Sequence, residues 1–136
     1  MTTEMQTRTD SEIGDYFWAS VKAQAMQLPW CTHCQALFFH PRPICPKCWT
    51  PVTQWKAVSG KGKVWSHSVV RYPLLRGPWP DRLPYTVAFV TLDEGPRVLS
   101  NIVDCAPEEV HAGMPVQLVY RERDGQMLYL FAPQTA

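Results

Sequence analysis

The stretch Cys31–Cys48, "CTHCQALFFHPRPICPKC", holds four of the chain's five cysteines as two C-x-x-C pairs, ten residues apart. Each pair puts two thiols on one tight turn, and a hairpin of that length can bring the turns face to face. Four thiolates satisfy a tetrahedral ion and leave no position open. The spacing therefore predicts a closed, structural metal centre held by Cys31, Cys34, Cys45 and Cys48. Zn(II) is the expected ion, with iron the alternative in the same sulfur cage. A redox dithiol is disfavoured, because the second pair would have no role. His33 and His40 also lie in the stretch; with the cysteine set complete, they are expected at the surface. A closed centre admits neither water nor substrate, so its predicted work is stability. Metal binding in such modules contributes roughly 10–16 kcal/mol, comparable with the ~5–15 kcal/mol of a typical domain. Prolines at 29, 41, 43, 46 and 51 argue for short turns through this segment.

On the N-terminal side, residues 10–28, "DSEIGDYFWASVKAQAMQL", read as a helix stopped by Pro29. Ile13, Phe17, Val21 and Leu28 fall near one stripe. Tyr16, Phe17 and Trp18 are consecutive, and steps of ~100° spread them over an arc of ~200°. One small domain cannot easily bury so wide an arc, which marks the three as a candidate partner interface. On the C-terminal side, "GKVWSHSVVRY", "YTVAFVTL", "RVLSNIV", "PVQLVYRER" and "QMLYLFA" read as strands. Asp124-Gly125 is a hairpin turn between the last two. Pro107 and Gly113 bound a short helix between the third and fourth. Five antiparallel strands in about 75 residues suit a small barrel, with the OB-fold the leading case. The predicted class is mainly β, in three parts: an N-terminal tail and helix (1–28), the metal ribbon (29–54) and a five-stranded OB-fold barrel (55–136).

Of the 136 residues, 46% are hydrophobic and 18% charged, enough for a core and too little charge for a disordered chain. No apolar run approaches the ~20 residues of a membrane span. The N-terminal fifteen residues lack the apolar segment of a signal peptide. These features predict a soluble cytoplasmic protein with no membrane partner, in which paired cysteines are metal ligands rather than disulfides. The net charge of +1 is unevenly spread: residues 56–90 carry six basic side chains and one acidic, residues 91–136 three basic and seven acidic. The cationic zone offers Lys61, Lys63, Arg71, Arg76 and Arg82 to a phosphate-bearing ligand or an acidic partner.

The ordered motifs carry a family resemblance. A helix with Phe17-Trp18 leads into C-x-x-C; "FFHPRPICPKC" follows, then Trp55, the run Ser59-Gly60-Lys61-Gly62-Lys63-Val64-Trp65-Ser66, Pro84-Tyr85, "LDEG" and "GMPV". Over roughly residues 12–133 the chain resembles the zinc-ribbon plus OB-fold family first catalogued as domain of unknown function thirty-five. The resemblance implies a rubredoxin-like zinc ribbon with structural Zn(II). It also implies an accessory role beside thiolase-fold or lipid-transfer-protein-like enzymes that act on acyl-CoA. In such a role the small subunit has no nucleophile of its own. It helps bind or channel the acyl-CoA, with Lys61, Lys63, Arg71 and Arg76 as candidate CoA contacts. The sequence departs from the family in two places: Gln35 stands after the second cysteine, where glycine is common, and Trp30 before the first. A turn favouring φ > 0 at Gln35 is expected to be strained.

Two other functions compete. Trp65, Tyr72 and Trp79 interleave with the cationic zone, as in OB-folds that bind single-stranded nucleic acid; the acidic final third argues against it. A stand-alone enzyme would draw on Cys105, His67 and His111, but no signature joins them into a nucleophile and base.

Overall fold

The computed structural model describes residues 10–72 and 83–134. One helix, α1 (Asp10–Lys22), precedes a three-stranded sheet of β1 (Gln27–Cys31), β2 (Ala36–Leu37) and β3 (Gln54–Ala57). Its order is β2-β1-β3. The helix ends at Lys22, short of the predicted Leu28. Gln24 turns left-handed, with φ of 57°, and Ala25 N–H donates to Ser20 O at 3.0 Å. The chain is then free to form the central ribbon strand, which pairs with both neighbours. Pro29 sits inside β1 instead of stopping a helix, opposite Trp55. It has no N–H to give, and its carbonyl accepts from Phe38 N–H at 3.2 Å. Tertiary pairing has overridden the local pattern, and Leu28 is buried from a strand. The boundaries 28/29 and 54/55 fall inside β1 and β3.

All five predicted barrel strands are present: β4 (Lys61–Val70), β5 (Tyr85–Leu92), β6 (Arg97–Ile102), β7 (Pro115–Arg123) and β8 (Gln126–Pro133). They close in the order β4-β5-β6-β8-β7, with β7 returning to β4. That is a five-stranded OB-fold barrel. The short helix is a single 3-10 turn, Pro107–Glu109. Asp124 and Gly125 both have positive φ, 50° and 81°, as a type I′ hairpin requires. One pairing departs from the antiparallel expectation. β6 meets β8 in parallel through the single pair Ile102↔Phe131, helped by Val103 N–H donating to Phe131 O at 2.8 Å.

Two glycines let the barrel close. A Cβ on Gly62 would stand 2.6 Å from Thr91 O, and one on Gly60 would stand 2.9 Å from Leu118 Cβ at a φ of 86°. The "SGKG" run is therefore a steric requirement where β4 crosses its neighbours. Inside, Val64, Val90, Val98, Val116 and Phe131 form one cluster with Phe17, Val21 and Leu28. Helix, ribbon and barrel thus share a core. Met26 N–H donates to Tyr120 OH at 2.8 Å and ties the ribbon to β7.

The aromatic triplet of α1 divides three ways. Phe17 is 5% exposed and meets Tyr129 edge-on at 5.5 Å. Of the three rings named as a candidate partner interface, Phe17 keeps to the apolar stripe it shares with Ile13 and Val21, and its ring fills the space between α1 and the barrel. Tyr16 turns to Trp55, ring centroids 4.5 Å apart. Trp18 turns the other way, towards β8, at 5.7 Å from Tyr129. No helix among the described residues is long and apolar enough to cross a membrane.

Candidate functional site

The two C-x-x-C turns are built alike. Cys34 N–H donates to Cys31 Sγ at 3.3 Å, Gln35 N–H to Cys31 O at 2.8 Å and Trp49 N–H to Cys45 O at 3.0 Å. The residue after each pair is left-handed, Gln35 at φ 52° and Trp49 at 67°. The strain expected at Gln35 is present, and Trp49 repeats it in the second turn. Non-glycine residues persist in this region only where their surroundings over-determine them, at a cost of roughly 1–3 kcal/mol each. The Ile44↔Pro51 bridge and Cys45 N–H to Thr50 O at 2.9 Å hold the second turn closed.

The turns bring Cys31, Cys34, Cys45 and Cys48 together, all four Sγ atoms within 4.8 Å of one another. A tetrahedral ion with ~2.3 Å metal–sulfur bonds needs sulfurs about 3.8 Å apart. The Cys31–Cys48 separation of 3.4 Å and the 4.8 Å limit bracket that value. Cys31 and Cys45 are buried. The quartet fits a four-coordinate ion held by protein alone. Without an ion the thiols compete for protons: contact with Cys48, burial and the other cysteines push Cys34 up to about 12, while the Thr50 hydroxyl and backbone bring Cys48 down to about 6. A metal ion held by the four thiolates would replace the shared protons. His33 and His40 are exposed and outside the quartet.

Among the described residues, the cationic candidates do not gather at one place. Lys61 and Lys63 begin β4, Arg71 follows its far end, and Lys63 to Arg71 is about 26 Å along the strand at 3.3 Å per residue. Arg76 and Arg82 lie outside the described residues, as does Trp79. Arg71 approaches Glu108 at 3.7 Å, and Glu108 follows Pro107, which with Tyr85, Asn101, Asp104, Cys105, Arg121 and Arg123 lines a cleft of about 470 Å³. Arg121 grips Asp104 with both terminal nitrogens, Nη1 donating to Oδ1 at 2.7 Å. This pairing holds the Asp104 carboxyl below its ordinary range. The sequence gives no hint of it, because the register of β7 alone carries Arg121 to the loop after β6.

The enzyme candidates fare differently. Burial, then Glu109 and Asp104, push the Cys105 thiol up, opposite to the activation a nucleophile needs. The His111 ring engages Glu109 O at 3.2 Å, and His67 is exposed on β4.

The signature of the ChsH2 C-terminal OB-fold domain matches residues 55–121. A DUF35 domain-containing scaffold protein of Methanothermobacter thermautotrophicus is 39% identical over 113 residues, 77% of this chain and 84% of that one. The chain belongs to the DUF35 family. A second such scaffold protein, from Methanocaldococcus jannaschii, is 41% identical over 93 residues; the match covers 67% of this chain and 64% of that protein's length. A probable enoyl-CoA hydratase alpha subunit of Thermomonospora curvata is 36% identical over 122 residues, but this DUF35 chain covers 86% of itself and only 36% of that subunit. Among solved structures, a chain of the Ltp2-ChsH2(DUF35) aldolase superposes with a TM-score of 0.78 at 29% identity, over 93% of this chain and 97% of that one.

Proposed function

We propose that this DUF35 chain is a non-catalytic accessory subunit that docks on a thiolase-like or aldolase enzyme and helps hold its acyl-CoA substrate. The observation that carries the reading is the end-to-end likeness to a chain of the Ltp2-ChsH2(DUF35) aldolase, 97% of it covered at 29% identity. The hydratase alpha subunit similar to this chain is likewise part of a CoA-dependent enzyme by its name. The chemistry of the chain agrees. Its four clustered thiols suit Zn(II) with no open position, and reduced cysteines of this kind suit a cytoplasmic setting. Burial, with Glu109 and Asp104 nearby, pushes the Cys105 thiol up, away from activation. Bond-making or bond-breaking groups then belong to the partner. Of the candidate cations, Arg71, whose partner Glu108 adjoins the cleft-lining Pro107, is the one assigned to CoA phosphates. Lys61 and Lys63 stand at the other end of β4, and Arg76 is kept as a candidate from the sequence alone.

Reconstitution tests the proposal. The chain is mixed with the source organism's thiolase-fold enzyme most similar to the aldolase partner, sized on a column and assayed for acyl-CoA turnover. A shared peak and higher turnover than the enzyme alone are expected, with Arg71→Ala raising KM. An enzyme equally soluble and active alone, with no shared peak, overturns it.

A further inference from the structure

The exposed apolar side chains of the barrel are not scattered. Trp65 meets Phe89 edge-on at 6.1 Å, and Phe89 pairs in register with Leu99. Leu99 O accepts a hydrogen bond from Tyr129 OH at 3.2 Å. Tyr129 packs on Trp18 at 5.7 Å and on Phe39 at 6.4 Å. Six residues from β4, β5, β6, β8, α1 and the ribbon are thus linked in one band across all three parts of the fold, Leu99 joining through its register pair and its backbone carbonyl. Trp65, Phe89, Leu99 and Trp18 remain 52, 39, 37 and 40% exposed. Trp18 is also the wall between two hollows, one of about 190 Å³ reaching His40 and Pro41 and one of about 590 Å³ reaching Lys22 and Met127. A connected apolar band with hollows beside it is the anatomy of a surface that another protein covers.

Its charges are one-sided over the barrel. β4, β5 and β6 contain no Asp or Glu. Lys63 pairs with Thr91 and Thr91 with Arg97, so a row ending in two cations runs beside the Trp65–Phe89–Leu99 row. At the helix end, Lys22 and Glu122 supply both signs. The rings are poorly arranged for stacking bases. The Arg97 guanidinium already sits 4.0 Å over the Trp65 ring, and Trp65 and Phe89 meet at 76° rather than as parallel platforms. Single-stranded nucleic acid binding relies on open flat faces.

We propose that this band is the docking face for the enzyme subunit, which meets it with an apolar ridge flanked by carboxylates opposite Lys63 and Arg97. The proposal rests on the accessory-subunit reading and adds the face and the chemistry of the partner. Trp18 alone of the α1 triplet belongs to it, since Phe17 is buried and Tyr16 is turned to Trp55.

The test uses the full chain and the thiolase-fold enzyme named above, with affinity measured by calorimetry or interferometry. Trp65→Ala, Leu99→Ser and Trp18→Ala each raise Kd about tenfold or more. Tyr72→Ala, at a 77% exposed aromatic off the band, leaves Kd within about twofold. Lys63→Glu with Arg97→Glu slows association at low salt and flattens its salt dependence. Circular dichroism melts of each variant establish folding. A wild-type complex indifferent to the band variants overturns the docking face and leaves the accessory reading standing. No wild-type complex overturns both. Poly(dT) binding abolished by Trp65→Ala, or a self-dimer abolished by it, also overturns the assignment, since either gives the band a different occupant.

Discussion

Replacing Phe17 by alanine asks whether this ring belongs to the core or to an interface. It is 5% exposed and meets Trp18, Phe39 and Tyr129 edge-on at 5.2, 6.3 and 5.5 Å. Truncating a buried phenylalanine costs about 3–5 kcal/mol in lost transfer energy and residual cavity. Edge-to-face contacts add about 0.5–1.5 kcal/mol each beyond area, but only part of that is lost where neighbours relax. About 4 kcal/mol is the expected destabilisation. At the usual unfolding entropy of a chain this size, that lowers Tm by roughly 15 °C. The assay is urea unfolding of the isolated, metal-loaded chain with an unchanged m value, beside Trp18→Ala. Trp18 is 40% exposed, and its truncation should cost about 1–2 kcal/mol. If Phe17→Ala unfolds within about 1 kcal/mol of wild type yet abolishes partner binding, the shared core is wrong and Phe17 is an interface residue after all.

Three further outcomes are expected. Elemental analysis should find one metal ion per chain; Cys45→Ser should lose it and disorder residues 29–52 while much of the strand signal of the barrel persists, and a folded chain free of zinc and iron would refute the centre. Gly62→Ala should cost about 1–3 kcal/mol as an overpacking change, because its new methyl meets the Thr91 backbone carbonyl at 2.6 Å; a neutral effect in thermal unfolding would mean that β4 and β5 are not so close. Arg121 holds Asp104 below its usual carboxylate range, so their pairing contributes fully above about pH 4 and is lost as pH falls through the lowered folded value. Asp104→Asn should therefore flatten the acid limb of stability and change it at pH 7 by under about 1 kcal/mol, both partners being exposed; an unchanged acid limb would count against the pairing.

The cysteine quartet was legible because paired cysteines carry their geometry in their spacing, and the barrel because period-two strands and turns such as Asp124-Gly125 are local signals. Residues 23–28 misled for the opposite reason. "AQAMQL" has ordinary helix propensity, and only pairing with the distant β3 makes a strand of its end. Phe17 read two ways, on the apolar stripe with Ile13 and Val21 and within a run of three aromatics that overfills it; how the other two rings divide depends on where β8 and Trp55 pack. The cationic zone looked like one patch in sequence, yet an extended strand carries its two ends apart. The cleft and the Trp65–Tyr129 band were invisible for the same reason: their members lie on separate strands, and only the closure of the barrel makes them neighbours.

Where β6 meets β8, the backbone pairing is a single register pair and one adjoining amide, supplemented by the Ser100 and Tyr129 hydroxyls bonding across to Tyr129 O and Leu99 O, while β5 is laddered to β4 along its whole length. When the barrel breathes, it should part at this seam first, so the Val103 amide should exchange with solvent well before that of Val90. Ile102, on one side of the seam, is also a wall of the cleft, with Leu130 opposite. Opening there would deepen the cleft towards the apolar interior. An occupant longer than the resting cleft could then be accommodated by parting this one seam, with the ladders that carry the rest of the barrel left intact.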